Sequence, residues 1–252
     1  MIRSVSPSPD TLAGVAFLHG APAGALAAFA AACRWVEAGP GDTVIDFDDV
    51  TTDVFIVLQG SLRVLVRTAD GRRTQILADV HAGDLVGEMA AIDNAPRSAR
   101  VETLVLSRLC IVPGPAFLAL AFAAPTVGLR LMRRLTARLR GQTYRLLEYA
   151  VLPTRMRLAA ELLRLGRPRP NGTSVLTPPP TQEELAARVG ARRETVSREL
   201  AALCRDGFVR RARAAIVLVD PEALRAVVEA GLEQPAARFD ERKAASAPGQ
   251  VQ

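Results

Sequence analysis

The chain has 252 residues, enough for two modest domains that each bury a core, and its charge is uneven. Met1–Pro125 carries 9 basic and 13 acidic residues, a net −4, whereas Thr126–Gln252 carries 23 basic and 13 acidic residues, a net +10. This asymmetry predicts that the second half meets a polyanion, with nucleic acid ahead of a membrane surface. No apolar run approaches the roughly 18 residues of a membrane span and no signal pattern is visible, so we expect a cytoplasmic protein.

The cysteines give no indication of a metal site. Cys33, Cys110 and Cys204 lie far apart in the sequence and lack any metal-ligand spacing. An apolar residue precedes each of them, which favours buried free thiols in a reducing compartment. No Ser-His-Asp, Cys-His or metal-ligand set is visible, so the sequence does not predict an enzyme.

The first half contains short apolar runs with a period of two, which is typical of β-strands buried on one face. An alanine-rich stretch of short helices precedes them, and an Asp70-Gly71 turn joins two of them. Several such runs in succession predict a compact antiparallel β-roll. In chain order they read TVIDF, VFIVL, SLRVLVR, RTQILA and SARVETLVLSRLCIV.

The stretch GDLVGEMAAIDNAPRSARV interrupts the strand pattern with residues that suit a small phosphorylated ligand. Gly87 lets the backbone approach a ligand, and the turn that starts at Met89 can aim backbone N–H groups at an anion. Arg97 and Ser98 supply a guanidinium and a hydroxyl donor for phosphate oxygens, while Glu88 can accept from a ribose hydroxyl. The alternative is that Glu88 and Arg97 merely pair with each other.

Beyond the strands the pattern becomes helical, with one short segment to Phe122 and a long one that begins near Thr126. The long segment places four apolar side chains along one stripe, which predicts a two-helix seam and therefore a homodimer. Gly141, Gln142 and Thr143 interrupt the stripe, so they are candidates for sensing a ligand at the subunit boundary. The alternative is that they only set the register of a coiled coil. The stripe consists of Leu131, Leu135, Leu146 and Tyr149.

The basic second half contains a helix-turn-helix pattern. Thr181 and Glu184 form a capping box that starts a first helix, and Gly190 makes the turn. A second helix begins near Arg192, and a two-stranded wing can follow it. We expect the tail, residues 233–252, to be disordered because apolar residues are few there. Further candidates for phosphate contacts are Arg188, Arg205, Arg210, Arg211 and Arg213.

Two motifs, GEMAAIDNAPRSA and ARRETVSREL, resemble those of the cyclic AMP receptor protein and FNR family of bacterial regulators. The resemblance covers roughly residues 12–232 and implies an α+β fold. Its parts are an N-terminal cyclic-nucleotide-binding β-roll of the jelly-roll type, a long dimerisation helix and a C-terminal winged helix-turn-helix. The family more often has Gly-Asp where this chain has Asp48-Asp49, and aspartate tolerates the positive φ of such a turn better than most residues.

The resemblance also implies roles on the long helix. Arg138, Gln142 and Thr143 would contact the purine across the dimer interface. Gln142 departs from the threonine of the best-known member, which implies an altered affinity or purine preference. The ligand-binding residues implied in full are Gly87, Glu88, Met89, Arg97, Ser98, Ala99, Arg138, Gln142 and Thr143.

In the second helix of the ARRETVSREL motif, residues near the amino end would reach base edges in the major groove. Arg193 and Arg198 would contact guanine, and Glu194 would accept from a cytosine amino group. The resemblance thus implies a TGTGA-like half-site in an inverted repeat. The DNA-binding residues implied in full are Thr181, Arg192, Arg193, Glu194, Thr195, Ser197 and Arg198.

The sequence therefore predicts a homodimeric transcription regulator controlled by a cyclic nucleotide, with cyclic AMP favoured over cyclic GMP. Its expected partners are double-stranded DNA, a second copy of the chain and RNA polymerase, without a membrane or a prosthetic group. One alternative keeps the DNA-binding role with a redox or gas signal or with no effector; another is a cyclic-nucleotide-regulated enzyme subunit. The predicted boundaries are a sensor domain at 1–125, a dimerisation helix and hinge at 126–152, a DNA-binding domain at 153–232 and the tail.

Overall fold

The computed structural model describes residues 2–5, 12, 14–67 and 74–245, and it describes residues 234–245 by their backbone alone. The Asp70-Gly71 turn and residues 246–252 of the predicted tail lie outside the described residues. The chain divides into two compact units, Met1–Arg138 and Leu139–Gln252.

The first unit is built from two antiparallel sheets, with strand orders β1-β2-β9-β4-β7 and β3-β8-β5-β6. Both sheets contribute side chains to a shared apolar core, which confirms the predicted β-roll. A second core lies on the other face of the five-stranded sheet, beneath the helices. The elements are β1 Arg3–Ser4, a 3-10 helix Ala16–Leu18, α1 Ala23–Ala32, β2 Arg34–Ala38, β3 Thr43–Ile45, β4 Val54–Gln59, β5 Ser61–Arg67, β6 Thr74–His81, β7 Leu85–Val86, α2 Glu88–Asp93, β8 Arg100–Thr103, β9 Ser107–Val112 and α3 Gly114–Ala123.

Strand β4 shows why the sequence folds in two layers. Successive side chains of a strand point to opposite faces of the sheet. Phe55 and Val57 therefore enter the core between the sheets, while Val54 and Ile56 enter the core beneath the helices. An apolar run without alternation thus marks a strand that is covered on both faces.

Helix α4, Pro125–Val151, follows α3 and continues through Gly141 without a break. The stripe predicted along it is wrong in part. Leu131 is buried and Leu135 packs against the core beneath the helices. Leu131 and Leu135 therefore lie on a face that packs against the core of the same chain, and other apolar residues of α4 lie on a second, exposed face. Taken singly, no described helix is long and apolar enough to cross a membrane; α3 and α4 meet that criterion only as a pair, bent by 114°.

The second unit packs helices on a four-stranded antiparallel sheet around one apolar core, as expected for a winged helix-turn-helix. The tail differs from its prediction, because the backbone of the last helix continues to Ala245. Alanine, glutamate and arginine are frequent there and favour a helix even where apolar residues are few. The elements are α5 Thr154–Leu165, β10 Arg167–Pro168, β11 Ser174–Leu176, α6 Gln182–Val189, α7 Arg193–Arg205, β12 Val209–Ala212, β13 Ala215–Leu218 and α8 Pro221–Ala245.

Two cysteines that are distant in sequence are neighbours in the fold. Pairing of β2 with β9 places Trp35 opposite Cys110, and Cys33 lies just before β2. A hydrogen bond between the two thiols raises the pKa of Cys110 and lowers that of Cys33, and burial adds to the rise at Cys110. Cys110 is buried as expected, whereas Cys33 and Cys204 are only half-buried.

Candidate nucleotide-binding and DNA-binding sites

Seven of the nine predicted ligand residues line one open pocket in the first unit. Helix α2 with the glycine before it and the loop between α2 and β8 supply six of them, and α4 adds one. Apolar side chains from the two sheets, among them Ile45, Val64 and Val101, form the rest of the wall. A charged end and an apolar wall together suit a ligand that combines a phosphate with a ring. The seven residues are Gly87, Glu88, Met89, Arg97, Ser98, Ala99 and Arg138.

Gly87 is the position where the backbone must have no side chain. It precedes α2 with φ of +87°, in the left-handed region that favours glycine. A Cβ added there would lie 2.8 Å from the Arg97 guanidinium and 2.8 Å from the main-chain oxygen of Asp53. The glycine therefore allows Arg97 to approach the start of the helix.

Arg97 is buried, at 4% exposure, and points at main-chain oxygens of its own domain. Its Nη1 donates to the Gly87 oxygen at 2.9 Å, and its Nη2 donates to the Asp53 oxygen at 2.6 Å. Nε and Nη2 also donate to Thr51 Oγ1, at 3.3 and 3.2 Å. A guanidinium has five N–H groups, so these four bonds leave one N–H on Nη1 for a ligand oxygen. Burial lowers the pKa of Arg97 and nearby carboxylates, chiefly Asp53, oppose that shift, so the group stays charged.

Glu88 does not pair with Arg97, contrary to the alternative considered above. One of its oxygens, Oε1, accepts a hydrogen bond from Arg138 Nη1, and Arg138 Nη2 donates to the Leu85 oxygen at 2.7 Å. The other oxygen, Oε2, is buried and has no hydrogen-bond partner among the described residues. A buried carboxylate oxygen without a donor is costly, so it indicates a place where a ligand hydroxyl can donate.

The other two predicted ligand residues, Gln142 and Thr143, belong to the second unit, where both are exposed on α4. The Thr143 hydroxyl donates to the Leu139 oxygen at 3.0 Å, within the helix. Their predicted contact with a purine stays a prediction.

Two residues that support the pocket, Thr51 and Asp53, were not predicted from the sequence. Both orient the Arg97 guanidinium. The Asp48-Asp49 turn holds the backbone of Arg97, because the Arg97 N–H donates to the Asp49 oxygen at 2.8 Å. Asp48 has φ of +61°, as its place in a tight turn implied. The polar run before the buried strand β4 was the only available signal for these residues.

Arginines spaced four residues apart attach α4 to the first unit. Arg130 donates to main-chain oxygens of Phe17 and His19, and Arg134 donates to Asp84. Arg138 is the next in this series and reaches Glu88, as described above. Because residues four apart lie on one helix face, the three guanidiniums form one row.

The second unit carries the predicted DNA-binding residues on its helix-turn-helix. Thr181 caps α6 by accepting from the Glu184 N–H at 3.1 Å, and Glu184 accepts from the Thr181 N–H at 2.7 Å, which confirms the capping box. Gly190 adopts the left-handed conformation that ends α6, with φ of +62°. Thr181 and Arg193 line an open groove together with Arg211 and Arg213 of the wing.

Helix α7 turns its basic face to solvent. Val196, Leu200 and Leu203 anchor the opposite face in the core. Arg192 is the N-cap residue and makes no side-chain hydrogen bond to the helix among the described contacts. The exposed residues are Arg192, Arg193, Glu194 and Arg198, and the half-buried ones are Thr195 and Ser197.

One candidate for a phosphate contact is wrong. Arg188 is buried, at 4% exposure, and its Nη1 lies 3.5 Å from the buried carboxylate of Glu161. It faces the interior because it occupies the last turn of α6, between buried Ala186 and Val189. The other candidates, Arg205, Arg210, Arg211 and Arg213, are exposed.

Comparison with known proteins identifies both domains. Residues 35–123 match the cyclic nucleotide-binding domain, and residues 156–227 match the Crp-like helix-turn-helix domain. A CRP-like cAMP-activated global transcriptional regulator of Mycobacterium tuberculosis is 28% identical over 218 residues, which cover 85% of this chain and 97% of that protein. The cyclic AMP receptor protein of Thermus thermophilus is 35% identical over 162 residues, which cover 64% of this chain and 73% of that protein.

A solved structure shares the fold. The c-di-GMP responsive global regulator CLP of Xanthomonas campestris superposes with a TM-score of 0.68 at 23% identity, over 78% of this chain and 99% of that one. The chain belongs to the CRP/FNR family of transcription regulators, which are DNA-binding proteins and not enzymes. It therefore combines a cyclic nucleotide-binding domain with a DNA-binding helix-turn-helix.

Proposed function

We propose that this chain is a homodimeric transcription regulator whose affinity for a palindromic, TGTGA-like operator is raised by a cyclic nucleotide, cyclic AMP in preference to cyclic GMP. RNA polymerase is the proposed partner at the promoter. The nucleotide must bind the DNA-competent state more tightly than the other state, since equal affinity would shift nothing.

The observation that most directly supports this proposal is Oε2 of Glu88, which is buried without a hydrogen-bond partner among the described residues and lines the same pocket as the charged Arg97. In this proposal the ribose hydroxyl donates to Glu88, and the remaining N–H of Arg97 and the exposed Ser98 hydroxyl donate to the cyclic phosphate. Both relatives named above are described as responding to cyclic AMP, which supports that nucleotide as the effector.

The proposed dimer is supported by a solvent-exposed face of α4. Six residues on this face are alternately three and four residues apart, which is the spacing of a coiled-coil seam. The apolar members are 43%, 59%, 69% and 69% exposed, in chain order, far more than a core requires. A second copy of the same helix would cover them. The six residues, here called the α4 seam, are Leu129, Met132, Thr136, Leu139, Thr143 and Leu146.

Calorimetric titration with each nucleotide tests the effector. We expect saturable binding of both, with cyclic AMP tighter, and an operator shift that strengthens when cyclic AMP is present. Absence of heat with either nucleotide would contradict the proposed effector. Equal operator binding with and without nucleotide would contradict ligand control of DNA affinity.

Replacement of Arg198 by alanine tests the proposed base contact. A bidentate arginine–guanine pair contributes roughly 1–3 kcal/mol of discrimination, so Arg198→Ala should weaken operator binding about 5- to 150-fold for each half-site. Binding to random DNA should change little, because the phosphate contacts remain. Fluorescence anisotropy with both DNAs measures the two affinities. Arg225→Ala, which removes an exposed arginine of α8, is the matched control, and an equal loss in both variants would contradict the contact.

A further inference from the structure

A buried carboxylate joins three helices of the second unit. Glu161 of α5 is 1% exposed. Its Oε2 lies 3.2 Å from Arg145 Nη2 of α4 and 2.9 Å from Arg164 Nε of α5. Its Oε1 lies 3.5 Å from Arg188 Nη1 of α6. A buried charge is tolerated only with such partners, so Glu161 fixes the three helices to one another.

A tyrosine on the same stretch of α4 reaches the turn of the helix-turn-helix. The Tyr149 hydroxyl donates to the Arg188 main-chain oxygen at 2.7 Å, in the last turn of α6. The ring packs against Gly190, where an added Cβ would lie 3.1 Å from it. The Arg157 guanidinium lies over the Tyr149 ring, 5.2 Å from the ring centroid. The end of α4 is thereby connected directly to the turn that precedes α7.

We propose that Tyr149 and Glu161 are positioning residues for operator recognition: they set the angle between the end of α4 and the recognition helix α7. Neither residue contacts DNA in this proposal. They act through α6 and Gly190, which hold the start of α7. The proposal rests on the proposed dimer, because two copies of α4 convert that angle into the distance between two recognition helices, and half-site spacing follows from that distance.

A second charge pair also connects the end of α4 to α5. Glu148 of α4 accepts from Arg164 through both oxygens, at 2.7 and 3.0 Å. Two-point contact between a guanidinium and a carboxylate restricts direction as well as distance. Together the contacts of Arg145, Glu148 and Tyr149 occupy successive positions on one face of α4, so rotation of that helix end must carry α5 and α6 with it.

The test compares two tyrosines of α4. Tyr149→Phe removes the hydroxyl and keeps the ring against Gly190, whereas Tyr144→Phe makes the same change at a tyrosine that is 66% exposed. Affinities are measured for the operator, for the same half-sites separated by one additional base pair, and for random DNA. Loss of one hydrogen bond should lower operator affinity about fivefold in Tyr149→Phe. The preference for correct spacing should fall by a similar factor, with random DNA unchanged.

A merely structural role predicts a different pattern. It would lower the melting temperature and weaken binding to all three DNAs equally, and that result would overturn the proposal. Equal affinities and spacing preferences in Tyr149→Phe and Tyr144→Phe would also overturn it. Glu161→Gln should shift the spacing preference in the same direction if it folds. The comparison is made with and without cyclic AMP. If cyclic AMP leaves the operator affinity of the wild type unchanged, that result contradicts the proposed effector. It does not contradict the positioning role, because the preference for half-site spacing is measured separately with and without the nucleotide.

Discussion

Arg97→Ala is expected to weaken cyclic AMP binding at least about 30-fold in calorimetric titration. The guanidinium is buried beside the pocket, and truncating one partner of a buried, hydrogen-bonded charge pair costs roughly 2–5 kcal/mol. Each 1.4 kcal/mol corresponds to a tenfold change in affinity. Arg97→Lys should recover part of the affinity, because it keeps the charge and loses the fork geometry.

The controls separate loss of the ligand contact from loss of the fold. Arg97 also holds Thr51, Gly87 and the Asp53 oxygen, so the melting temperature of each variant must accompany the titration. Arg100→Ala removes an arginine three residues away that donates to Thr43 and does not line the pocket. It should bind cyclic AMP like the wild type. If Arg97→Ala kept its affinity within about threefold, the phosphate contact would be wrong.

Aspartate at two positions of the α4 seam is expected to convert the protein to a monomer. In the double variant Leu139→Asp, Leu146→Asp, carboxylates from two copies would face each other in an apolar seam, where unpaired charges are costly. Light scattering coupled to size-exclusion chromatography measures the mass. Operator affinity should fall at least about 100-fold, because a monomer can occupy only one half-site.

Ala137→Asp is the matched control for the seam. Ala137 is exposed on the same helix and lies outside the α4 seam, so the same charge there should leave the dimer intact. A double variant that retained the mass of a dimer would show that another surface joins the two copies. Cyclic AMP titration of the monomeric variant would additionally report whether residues from a partner contribute to the pocket.

The parts that the sequence predicted are those that local chemistry determines. The period of two, the Thr181 capping box and Gly190 each act within a few residues, so strands, helices and turns were placed closely. The pocket residues Gly87 to Ala99 are also nearly contiguous, and a compact motif places them together. Local patterns do not determine what a face packs against. Periodicity alone does not tell which apolar face of α4 packs against its own chain.

Contacts between distant segments were not predictable. Thr51 and Asp53 orient Arg97 from 46 and 44 residues away, and Arg188 meets Glu161 across 27 residues. The arginine predicted to contact phosphate thus proved to be buried, because a buried glutamate on another helix lies beside it. The neighbouring thiols of Cys33 and Cys110 have the same origin, since the pairing of β2 with β9 brings them together.

The two helices of the helix-turn-helix begin differently. Helix α6 carries its own cap in Thr181, whereas α7 begins at Arg192, whose side chain leaves the first amide groups of that helix without a cap. Amide groups at a helix start carry partial positive charge and favour an anion. In the proposed complex with DNA, a phosphate at this helix start would supply the missing cap, and DNA binding would further stabilise the first turn of α7.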